Sequence, residues 1–128
     1  MANYGFVYIL TNKCMPNVYK IGYTDRSPIQ RADELSSNTS IPTEFDVFYY
    51  IECENPRIVE SDLHSRFYEN RISDNREFFD FTIKEIHLDL IPLMHEYCIH
   101  YCETESFLNS KFTFEEFTNL KIEDKKNE

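Results

Sequence analysis

With 128 residues the chain has room for one domain with a real core and too little for two independent ones. A hydrophobic fraction of 41%, with 16% aromatic residues, excludes a disordered chain, and no apolar run approaches the length of a membrane span. The formal net charge of −10 excludes recognition of nucleic acid through a broadly basic surface, so any grip on phosphate has to come from a local patch.

The N-terminus, MANYGFVYIL, lacks the basic start and small-residue cleavage site of a signal peptide, which predicts a cytoplasmic protein. Its four cysteines are then expected to stay reduced. In chain order, GFVYILT at 5–11 and VYKIGYT at 18–24 are β-branched and aromatic, and the NKCMPN between them is rich in turn formers. Together they predict a β-hairpin. In SPIQRADELSS, Ser27 suits a helix N-cap, Pro28 the first turn and Gln30 a capping box, with Ile29, Ala32 and Leu35 facing the core. IPTEFDVFYYIECE predicts a third strand that buries Phe45, Val47, Tyr49 and Ile51 on one face.

Asn55 and Pro56 open a second helix, PRIVESDLHSRFYEN, whose four-residue repeat places Val59, Leu63 and Phe67 on one stripe and Glu60 and His64 on its flank. RISDNREFF reads as a loop. A long helical pattern follows from about Ile83 to Tyr101, with Pro92 placed to kink or divide it and Ile86, Leu90, Met94, Tyr97 and Tyr101 as its buried side. FLNSKFTFEEFTNLKI reads as one more amphipathic element before a polar, acidic end. The expected architecture is a small three-stranded antiparallel sheet flanked by helices. Residues 1–85 would form its core and residues 86–128 a helical extension.

Tyr8, Lys20, Arg31 and Glu60 then come from four different elements to where sheet and helices meet. Arg and Lys neutralise a phosphate, a carboxylate holds a hard divalent cation, and a phenolate takes a proton from a nucleophile. These are the parts of metal-assisted phosphodiester hydrolysis. Each residue also has a plainer reading. A strand tyrosine usually packs, an exposed strand lysine blunts a sheet edge, and Arg31 with Glu34, or Glu60 with His64, makes a helix surface pair.

VYIL at 7–10, KIG at 20–22, RADEL at 31–35, ESDLH at 60–64 and REFF at 76–79 occur in order across about residues 5–85. In this the sequence resembles the GIY-YIG nuclease superfamily, and within it the branch of phage and bacterial reading frames with KIG in place of YIG. The resemblance implies a metal-dependent DNA endonuclease. Tyr8 would be the general base and Arg31 the phosphate clamp. Lys20 would lower the pKa of Tyr8 or bind phosphate, and Glu60 would be the one protein ligand of Mg²⁺ or Mn²⁺. It also marks Arg26, Asn75 and Arg76 as candidate DNA contacts, with Arg76 alternatively tied to an internal carboxylate.

Two positions depart from the family pattern. Phe6 stands at the first motif's glycine position, after Gly5, and Leu35 stands where some members carry histidine. His64, one turn after Glu60, is left to serve as leaving-group acid or to orient phosphate.

His95, Cys98 and Cys102 fall on one helical face, but without a CxxC pair they read as small core residues rather than as zinc ligands. Two further readings remain beside the nuclease. One is a catalytically weak or inactive regulatory module that binds DNA or protein on the same fold. The other is an acidic DNA mimic, against which the four retained polar residues argue. The extension is a candidate surface for target choice, a homodimer or a protein partner.

Overall fold

The computed structural model describes residues 3–37, 44–72 and 77–111. β1 (Tyr4–Asn12) and β2 (Val18–Thr24) form the hairpin, followed by α1 (Pro28–Ser37), β3 (Phe45–Glu54) and α2 (Pro56–Arg66). Then come β4 (Phe78–Asp80), α3 (Ile83–Glu85), α4 (Ile91–Tyr97) and β5 (His100–Glu103). A 3-10 turn at Tyr68–Asn70 follows α2, and a π turn at Ile86–Leu90 joins α3 to α4. A further helical stretch covers 105–111. Asn17 and Asn55 supply the left-handed backbone that ends the hairpin loop and starts α2, with φ of 65° and 49°. Asparagine tolerates that region better than most residues.

The sheet has five antiparallel strands in the order β4-β2-β1-β3-β5, not the three expected. Both additional strands were hidden for local reasons. β4 is the two phenylalanines of the REFF string with Asp80 after them, three residues long and too short to show a period of two. β5 lies inside what reads as the end of the long helix. The helix stops at Tyr97, Cys98 turns extended, and the Ile99 N–H donates to the Glu52 carbonyl at 2.8 Å, starting the pairing of β5 with β3. Tyr101 is consequently 53% exposed rather than buried. Pro92 leaves the helical run unbroken and sits just after its π turn.

Two other expectations change. Ile29 points outward, 61% exposed, while Ala32 carries the α1 contact. In β3 a bulge interrupts the alternation, because Ile9 pairs with Tyr49 but Leu10 pairs with Val47, leaving Phe48 without an opposite residue. Phe45 and Val47 therefore pack on one side of the sheet, and Phe48, Tyr49, Ile51 and Cys53 on the other.

The larger core joins Val7, Ile9, Ile21, Tyr49 and Ile51 to Val59 and Leu63 of α2. It also takes in Ile86, Leu90, Met94 and Phe107, so residues beyond 85 share a core with the hairpin. The smaller cluster, on the opposite side, holds Tyr8, Leu10, Ala32 and Phe45, with Leu35 packed against it. Among the described residues no helix is long and apolar enough to cross a membrane. All four cysteines are free thiols.

Candidate active site

Tyr8 sits in the middle of β1, directly opposite Gly22 of β2. Its ring lies over the neighbouring strand, and a Cβ built on Gly22 would fall 2.6 Å from the Tyr8 Cζ. Any side chain at 22 would displace the phenol, which is the physical reason for the glycine in the KIG string. Tyr8 is 2% exposed, and burial raises its pKa above the ordinary 10. A hydrogen bond from Arg31, and the attraction of that guanidinium, work in the other direction. Arg31 is the cation that lowers the phenol, and burial outweighs it.

Lys20 pairs with Leu10 on one side and Phe78 on the other. β4 has made β2 an interior strand, so Lys20 blunts no edge. It is 5% exposed, its ammonium forms an ion pair with Glu77, and it lies 5.3 Å from the centroid of the Phe78 ring. A buried ammonium needs such a partner, since desolvation without compensation costs several kcal/mol. The partner is brought by the sheet: the Ile21 N–H donates to the Glu77 carbonyl at 3.0 Å, just ahead of the β2–β4 ladder.

α1 presents Arg31, and Glu34 one turn on accepts from it at 3.3 Å. The same carboxylate takes a two-pronged grip from Arg26, at 2.7 and 2.9 Å. Both arginines are thus held by one acidic side chain whose pKa the Arg26 hydrogen bond lowers most.

Glu60 projects from α2 beside the Val59–Leu63 stripe, with only 16% of its side chain exposed. Its pKa is pushed up to about 7, first by burial and next by the charge of Glu77. Lys20, Arg57 and a hydrogen bond from the Tyr23 backbone N–H oppose the rise. His64 lies 3.7 Å from Glu60, and its Nε2–H donates to the Ile21 carbonyl at 3.0 Å. Burial lowers its pKa, so near neutrality it is an uncharged imidazole rather than half of an ion pair.

Tyr8, Lys20, Arg26, Arg31 and Glu60 line one cavity of about 560 Å³, and His64 is not part of that wall. Asn75 and Arg76 lie outside the described residues. Reading the sequence missed Gly22, Glu77 and Arg57, all of which border the cavity. Glu77 stands in the quoted REFF string, but a role for it depends on the pairing of β4 with β2. Among the described residues no three His, Cys, Asp or Glu side chains gather as a metal nest. The helical face expected to carry His95, Cys98 and Cys102 does not form, because Cys102 has moved onto β5.

The donor chemistry fits one hard divalent cation. Glu60 is a buried carboxylate strained by a second negative charge, and a cation offsets both penalties. One carboxylate suffices where waters and phosphate oxygens complete an octahedron.

Residues 5–90 match the T5orf172 domain, two-thirds of the chain, and the protein belongs to that family. Comparison with curated proteins and with solved structures found no match.

Proposed function

We propose that the protein is a metal-dependent endonuclease that hydrolyses DNA phosphodiesters in a single GIY-YIG-type site. The observation that carries this reading is the convergence of Tyr8, Lys20, Arg31 and Glu60, from four elements, on one cavity. T5orf172 domains are found in phage and bacterial endonuclease-like proteins, which supports the same class.

Arg31, held to Tyr8 and Glu34, clamps the scissile phosphate and offsets the charge of its transition state. Lys20 adds a second positive charge, which phosphate competes for with Glu77. Tyr8 takes the proton of the attacking water as the new O–P bond forms and the bond to the leaving oxygen breaks. It does so as phenolate, so burial of the phenol makes the rate climb with pH beyond neutrality. Glu60 would hold a Mg²⁺ or Mn²⁺ ion, which when bound would supply Lewis-acid stabilisation of the phosphoryl oxygens. His64 orients Glu60 by fastening α2 to β2.

A second reading keeps the fold without the chemistry, as a DNA- or protein-binding regulatory module. It is favoured by the net charge of −10 and by the internal carboxylates already engaged by Lys20, Arg26 and Arg31. The deciding assay incubates supercoiled plasmid and single-stranded DNA with Mg²⁺, Mn²⁺ or EDTA, beside Glu60→Ala and Tyr8→Phe. Metal-dependent nicking by the wild type, lost in both variants, is expected. No cutting of any substrate, with binding that persists in EDTA and in Tyr8→Phe, would replace the nuclease by the binding module.

A further inference from the structure

A second cavity, of about 670 Å³, runs along the outer side of α2. It shares Asn3 and Arg57 with the cavity that holds Tyr8 and Glu60, so the two lie side by side with Arg57 at their common wall. Arg57, Ser61 and Ser65 recur at a spacing of four, which stacks them in one row along the helix, and Asn55 completes a lining rich in hydrogen-bond donors. The carboxylate in the same lining, Asp62, is already bonded to Tyr97 and Arg66.

Arg57 also differs from the other cations of the site. Lys20 is paired with Glu77, and Arg26 and Arg31 share Glu34. Among the described residues Arg57 makes no ion pair or hydrogen bond with an acidic side chain, and reaches Glu60 only by a longer-range attraction. A guanidinium fork free to take a new partner, where the polar cavity of Tyr8 and Glu60 meets the more apolar α2 cavity that also carries Ile58, suits the planar two-point grip that phosphate oxygens accept.

We infer that the α2 cavity is a flanking subsite of the nucleic-acid strand, in which Arg57 binds the phosphate next to the scissile one and the neighbouring nucleotide lies along Ser61 and Ser65. The inference rests on the nuclease reading for the identity of the strand, and it explains how an acidic protein obtains affinity without a basic surface.

The test measures binding of a fluorescein-labelled single-stranded oligonucleotide by anisotropy, in EDTA and across a KCl series, with cleavage kinetics run in parallel. Arg57→Ala is expected to weaken binding about tenfold at 0.1 M salt and to flatten the log–log salt slope by about 0.7, the value for one phosphate contact on a single strand. In cleavage it raises KM by more than it lowers kcat, the loss in kcat following from the pull of Arg57 on Glu60, while Arg57→Lys restores part of the affinity. Ser61→Asp, which places a negative charge one turn further along the cavity, should weaken binding as well. Lys111→Ala, whose ammonium faces Glu103 on β5, should change nothing. If the wild type binds but both Arg57→Ala and Ser61→Asp keep its affinity and salt slope, the subsite is refuted and the nuclease reading stands. If the wild type neither binds nor cuts, both fail together.

Discussion

Replacing Glu60 with glutamine separates the cost of burying this carboxylate from its use. A rise from the ordinary 4.5 to about 7, at about 1.4 kcal/mol per pH unit, makes the ionised side chain destabilise the fold by up to about 3 kcal/mol. The figure already includes the opposing pull of Lys20, Arg57 and the Tyr23 N–H. Well below pH 4.5 the carboxyl is protonated in both folded and unfolded chains, and no penalty exists. The penalty grows as pH rises towards 7 and is complete above it. Glutamine keeps the shape and the acceptor for Tyr23 but cannot ionise. Glu60→Gln should therefore melt close to the wild type at pH 4.5 and about 10 °C above it at pH 8 in EDTA. Adding millimolar Mn²⁺ at pH 8 should then raise the wild type towards the variant while leaving the variant unmoved, as expected for a ligand that binds only the folded anion. Differential scanning calorimetry at the two pH values reads all of this. An equal gap at both, or a variant no more stable than the wild type at pH 8, would refute the reasoning that Glu60 is a strained anion prepared for a cation.

Two further outcomes follow from the packing around the cavity. Gly22→Ala should abolish nicking while the far-ultraviolet circular dichroism stays native, because the new methyl collides with the Tyr8 side chain rather than with the backbone of the sheet; a variant that cuts normally would show that the phenol can sit elsewhere. Glu77→Gln removes the counter-ion of a buried lysine and should lower stability by about 1 to 3 kcal/mol in chemical denaturation. It should also strengthen oligonucleotide binding, since phosphate no longer competes with a carboxylate for Lys20, and unchanged binding would argue that Lys20 does not meet the strand.

Much of the site was legible because its parts are anchored by local rules. Tyr8 and Lys20 are placed by a hairpin whose turn residues and alternation are explicit, Arg31 by a helix that opens on Ser27 and Pro28, and Glu60 by the flank of an apolar stripe. Where the reading went astray, the deciding contact lay far off in the chain. The helical pattern through Tyr101 was broken by the demand of β3 for a partner at its outer edge, and the phase of β3 itself was switched by one unpaired residue, Phe48. Neither leaves a mark in the local period.

The sequence by itself determined the two central hairpin strands, the first two helices and the four polar residues at their junction, since hydrophobic period and turn chemistry act over a few residues. Only the tertiary structure decided the charge state of that junction. β4 pairs with β2, buries Lys20, and delivers Glu77 both to Lys20 and within reach of Glu60, whose acidity then departs from that of any exposed glutamate. Burial and the distance between charges set a pKa, and both arise only when segments 57 residues apart meet.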